Sequence, residues 1–96
     1  MTTYKLCLYV VGQEVLAEMP LVKVIREGLT SLFEGRYLLE VVDVTKYPQA
    51  AIEEGVFFTP TLVRFEPVPK KKIIGNFSNG ERVLQTLRLI EEGASP

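Results

Sequence analysis

No histidine occurs in the 96 residues, so the side chain that most often moves protons near neutral pH is missing. The single cysteine, Cys7, has no second thiol with which to close a disulfide. The first residues lack the charged region, long apolar run and small-residue cleavage site of a secretory signal, and the expected setting is the reducing cytoplasm. No apolar run approaches the roughly 20 residues that cross a bilayer. Neither charge sign is in excess: 11 Lys and Arg against 12 Asp and Glu give a formal charge of -1. A nucleic-acid partner needs a concentrated basic surface, which that balance does not supply. The sequence also has no Gly-rich phosphate loop, linker, low-complexity tract or internal repeat.

What the chain has is apolar content, 47% of its residues, enough for one packed core in one domain. Lys5 to Val11 is a nearly continuous run of strand formers closed by Gly12, the pattern of a central strand covered on both faces. Apolar residues then recur at Val15, Met19, Val22, Ile25, Leu29, Leu32 and Phe33, one face of a helix. Pro20 fits that helix only in its first turn, where a missing N–H costs little. The helix is therefore expected to begin near Glu18, after a loop over Gln13 to Ala17, and to end at Gly35. Arg36 to Val44 reads as a second strand and Thr45 to Tyr47 as a turn. Pro48 to Glu54 reads as a short helix with Gly55 as a left-handed C-cap.

Two further strands, Thr61 to Phe65 and Lys72 to Phe77, flank a proline-containing connection and suit an antiparallel hairpin. Ser78 to Glu81 has capping-box spacing, and a helix with Val83, Leu84, Leu87 and Ile90 on its apolar face should follow. The order β-α-β-α-β-β-α predicts an α/β domain with a mixed four-stranded sheet and helices on both faces. This is a thioredoxin-like succession. The first two strands should be parallel and the last two antiparallel.

Phe58-Thr-Pro-Thr-Leu62 resembles the cis-proline segment of thioredoxin-like proteins, which makes Pro60 the candidate cis-proline. Redox members place a Cys-x-x-Cys at the start of the first helix, where the helix dipole lowers a thiol pKa. Gln13 to Pro20 contains no cysteine, and Cys7 lies inside the first strand as a small core residue. The adjacent carboxylates Glu53-Glu54 and Glu91-Glu92 diverge by about 100° on a helix and read as solvated faces. Lys70 to Lys72 reads as a soluble guard on a strand edge, and Tyr4, Tyr9, Tyr37 and Tyr47 as core edges. No catalytic, cofactor-binding or metal-ligating set emerges.

Leu8 to Gly12, Tyr37 to Val44, Pro48-Gln49, Thr59 to Leu62 and Ile73 to Asn79 resemble, in this order, the conserved blocks of the KaiB family. The resemblance implies a non-catalytic regulator of a bacterial circadian clock or a related signalling system. It implies a KaiC-type ATPase as partner, with a KaiA-like protein or a histidine kinase as further partners. It also implies two folds. One is a thioredoxin-like monomer that binds KaiC; the other is a tetramer or dimer with a rearranged C-terminal half. Gly75, Asn76 and Asn79 match the family's switch segment and are the expected hinge positions. After Gly12 the chain departs from the usual Thr-Pro-Asn-Ser, and Val56-Phe57-Phe58 is apolar where the family is polar or charged.

The thioredoxin-like state is the expected one here, because strand propensity at Lys72 to Phe77 and the capping residues behind it agree. The partner surface is expected at the exposed edge of the second strand, around Leu38 and Glu40, together with the first helix and Gly55. The competing reading is a redox or glutathione-dependent enzyme of the thioredoxin superfamily that uses the backbone at Thr59-Pro60 to hold a peptide-like ligand. A structural or oligomerisation module is a third.

Overall fold

Residues 2–12, 15–74 and 85–87 are described by the computed structural model. Gly75, Asn76, Asn79 and the capping box at Ser78 to Glu81 lie outside the described residues. The elements are β1 (Tyr4–Val10), a 3-10 turn (Leu16–Glu18), α1 (Pro20–Phe33), β2 (Tyr37–Asp43), α2 (Pro48–Glu54), β3 (Thr61–Glu66) and β4 (Lys71–Ile74). Residues 85–87 are helical.

The four strands form one sheet in the order β2-β1-β3-β4. β1 runs parallel to β2, and β3 runs antiparallel to both β1 and β4. The central position of β1 follows from its composition: Leu6 to Val10 are all buried, so both faces of this strand must be covered. Alternation then divides the core. Leu6, Leu8 and Val10 pack with Val22, Ile25, Leu29 and Phe33 of α1, with Leu62 and Ile73, and with Leu87. On the other face Cys7, Tyr9 and Val63 pack with Ala51 of α2. The helices thus cover both faces, as the pattern required.

Pro20 stands in the first turn of α1, where its missing N–H leaves no ladder bond unmade. The stretch expected as loop contains the 3-10 turn, held by the bond from Glu18 N–H to Val15 O at 3.0 Å. At its C-terminus α1 stops one residue earlier than the glycine alone suggests, because Glu34 already adopts a left-handed conformation with φ 54°. Gly55 caps α2 at φ 73°, and its N–H bonds back to Ile52 O at 3.1 Å. The strands are close to their expected bounds, with β1 one residue earlier and β4 beginning at Lys71.

Candidate functional site

Among the described residues β2 is an edge strand, with β1 on one side and no strand on the other. Its ladder fixes which backbone groups are free. Arg36 O accepts from Tyr4 N–H at 3.0 Å, and Val44 N–H donates to Val10 O at 2.9 Å. In a parallel pair alternate residues face the neighbour, so Arg36, Leu38, Glu40 and Val42 use their backbone on β1. Tyr37, Leu39 and Val41 therefore aim theirs outward. The Arg26 guanidinium donates to Leu39 O at 3.5 Å, which agrees with that direction.

Side chains divide the other way. Leu39 and Val41 pack on the α1 core, and the Tyr37 hydroxyl donates to Arg26 O at 3.1 Å and lies 2.9 Å from Thr30 Oγ1. Leu38 and Glu40 point to the α2 side, beyond the reach of the seven-residue α2, and both are exposed, Leu38 by 59%. Beside them is an open hollow of about 290 Å³ lined by Lys5, Leu6, Cys7, Leu38, Glu40 and Phe65. Lys5 is paired with Glu66 at 2.9 Å, whereas Glu40 has no salt bridge among the described residues.

The floor of this hollow carries the thiol. Cys7 is 4% exposed, and burial pushes its pKa up to about 11 against a lowering contact from Tyr9, with Glu40 and Glu54 adding repulsion. Burial likewise raises Tyr9. A thiol so placed is protonated at neutral pH, and it lies in the middle of a strand, not at a helix start.

Gly55 is elsewhere. A Cβ built on it would lie 3.4 Å from Lys72 Nζ of β4, at the sheet edge opposite Leu38 and Glu40. Lys72 lies on β4 and Leu38 and Glu40 on β2, at the two ends of the strand order β2-β1-β3-β4. Near Gly55 the sequence reading of solvated glutamates holds for the exposed Glu53 and is corrected for Glu54. Glu54 is only 10% exposed in its side chain, accepts from Lys70 Nζ at 2.7 and 2.9 Å, and accepts from Lys72 Nζ at its carbonyl. Lys70 also lies 5.2 Å over the Phe65 ring. Lys70 and Lys72 are therefore tied to α2, not free guards of the hairpin. The signal available in the sequence was Glu54 in the last helical position before Gly55, facing a lysine run that only the hairpin brings back.

Pro60 follows a cis peptide bond, as do Pro67 and Pro69. It precedes β3 at the end of the sheet where β1 finishes, and Thr61 Oγ1 donates to Phe58 O at 2.7 Å. Phe57 and Phe58 are exposed there, by 84% and 67%. Of the four tyrosines expected at core edges, Tyr47 is the exception at 63% exposed, because the turn before α2 carries it off the sheet. Among the described residues no group of three or more His, Cys, Asp or Glu could hold a metal ion, and no helix is long and apolar enough to cross a membrane.

This arrangement has counterparts. The chain is 45% identical over 93 residues to the circadian clock oscillator protein KaiB of Nostoc punctiforme, covering 97% of this chain and 88% of that one. It is 43% identical over 93 residues to the protein of the same name from Prochlorococcus marinus strain MIT 9211, covering 97% and 81%. In structure it is similar to the N-terminal domain of Synechococcus elongatus SasA, with a TM-score of 0.65 and 18% identity over 100% of this chain and 90% of that domain. That likeness places the fold among thioredoxin-like α/β domains. The family model of the KaiB domain matches residues 7–89, and the chain belongs to the KaiB family.

Proposed function

We propose that this protein is a non-catalytic clock or signalling regulator that binds a KaiC-type ATPase, with a KaiA-like protein or a histidine kinase as further partners, in the cytoplasm. The observation that supports this reading most is the β2 edge. Tyr37, Leu39 and Val41 leave an outward row of backbone donors and acceptors, flanked by exposed Leu38 and by exposed Glu40, which has no salt bridge among the described residues. Such an edge accepts an extended strand from another chain: main-chain bonds supply affinity, and the side chains at alternate positions supply selection. Gly55, beside the Glu54–Lys70 pair, is a further contact residue of this reading.

The thioredoxin-like enzyme is the weaker reading, since Cys7 is buried, protonated and remote from the start of α1. Capture of a KaiC-type ATPase on immobilised protein tests the proposal. Glu40→Lys reverses the charge at the centre of the edge and is expected to weaken capture about tenfold, the scale of a charge reversal at an interface. Unchanged capture by that variant would remove the β2 edge from the partner surface.

A further inference from the structure

The two sides of the β2 edge carry opposite charges. On the α2 side stands the Glu40 carboxylate, exposed and without a salt bridge among the described residues. Lys5 of β1 shares that face but is paired with Glu66 at 2.9 Å, and the Cys7 thiol beside Glu40 is protonated and neutral. On the α1 side the Arg26 guanidinium reaches Leu39 O at 3.5 Å, and it too has no salt bridge among the described residues. One charge of each sign thus flanks a single row of outward backbone groups.

An antiparallel strand laid on this edge exchanges both ladder bonds with Tyr37, Leu39 and Val41, whose N–H and C=O groups face outward. A carbonyl has two lone pairs, so Leu39 O accepts a ladder bond beside the Arg26 contact. Leu38 and Glu40 then face the added strand as non-hydrogen-bonded pairs, in which Cα atoms approach to about 4.5 Å and side chains lie closest. An anion opposite Glu40 is repelled, and an apolar residue there dehydrates the carboxylate without pairing it. A Lys or Arg neutralises it and lays its aliphatic stem on the hollow lined by Leu38 and Phe65. The next residue, opposite Leu39, points to the α1 side and meets Arg26, which selects Asp or Glu. The one after it faces exposed Leu38, which selects an apolar side chain.

We infer that the β2 edge selects an extended antiparallel segment of a partner protein whose residues run basic, acidic, apolar from its N-terminus, opposite Glu40, Leu39 and Leu38. This rests on the reading of β2 as the partner strand and adds which segment that strand takes. The opposite charge order sets like charges together on both sides of the edge, so selection comes from repulsion as much as from attraction.

Two short end-blocked peptides rich in threonine and valine test the inference, one centred on Lys-Glu-Val and the other on Glu-Lys-Val. Each is titrated to about 2 mM against the isotope-labelled full chain, a range that resolves weak contacts, while backbone amide shifts are followed. The first is expected to shift the Tyr37, Leu39 and Val41 amides and to bind about tenfold more tightly than the second. Glu40→Lys alone should erase that preference, and Glu40→Lys combined with Arg26→Glu should reverse it. Binding at β2 without regard to charge order, or a preference that survives Glu40→Lys, overturns the inference and leaves β2 standing as a partner strand. Shifts confined to other strands, or binding by neither peptide, overturn both. Shifts at β2 that follow the concentration of the chain and not of the peptide also overturn the inference, because a second copy then fills the edge.

Discussion

The carboxylate of Asp43 ends β2 and organises the turn that follows. Its Oδ1 accepts from Thr45 Oγ1 at 2.6 Å and Thr45 N–H at 2.9 Å, while its carbonyl accepts from Lys46 and Tyr47. The Thr45 hydroxyl bond is the main reason that its pKa is held below the ordinary aspartate range. The folded state therefore binds this proton less readily than the unfolded chain. The stabilisation is complete above the ordinary aspartate pKa and is lost as pH falls through the depressed folded value. Asp43→Asn is expected to lower stability at pH 7 and to flatten its decline between neutral and acidic pH, as read by urea unfolding at several pH values. Cys7 gives a second test at this scale. With its pKa near 11, about one thiol in a thousand is ionised at pH 8, and the group is buried as well. Ellman's reagent at pH 8 should label it at the rate of global or local opening and rapidly only in denaturant.

Among the elements, α2 is half the length of α1 and depends heavily on its ends. Its seven residues cannot sustain helix alone, so Gly55 and the Glu54 contacts decide whether it persists. Gly55→Ala puts a side chain at φ 73° beside Lys72 and is expected to cost about 1 kcal/mol, measured by denaturant unfolding. The start of α1 was legible to within two residues from Pro20, since a proline within a helical pattern is tolerated only in the first turn; the helix begins at Pro20 itself, and Glu18, where it was expected to begin, closes the 3-10 turn. The C-terminus of α1 was less so. Glutamate carries no signal for a left-handed residue, and Glu34 adopts φ 54° because the chain must turn at once into β2. The Glu54–Lys70 pair was invisible in the pattern for a related reason: 16 residues separate its partners, and local propensity says nothing about which hairpin returns to which helix.

For the whole molecule the decisive fact is a core split by one central strand. α1 closes the larger half, where Val22, Ile25 and Leu29 are fully inaccessible. Truncation there leaves a hole that a sheet on one side and a helix on the other cannot close. Ile25→Ala is expected to cost about 2–5 kcal/mol. For a domain of this size each kcal/mol lowers the melting temperature by about 4–8 °C, so calorimetry should find a loss of at least about 8 °C. The smaller half, under α2, leaves the Leu38–Glu40 side of the sheet open. That asymmetry is what gives the molecule an edge to offer.

By itself the sequence determined the order of elements, the central place of β1, the first-turn position of Pro20, the left-handed cap at Gly55 and the burial of Cys7. Each of these is a matter of local backbone sterics or of hydrophobic period, which a few neighbouring residues settle. The tertiary structure alone decided that β2, with Leu38 and Glu40, ends the strand order, that Glu54 is sheltered between two lysines of the hairpin, and that β2 presents Tyr37, Leu39 and Val41 outward. These depend on which strand pairs with which and in what register, a choice made by packing between segments far apart in the chain.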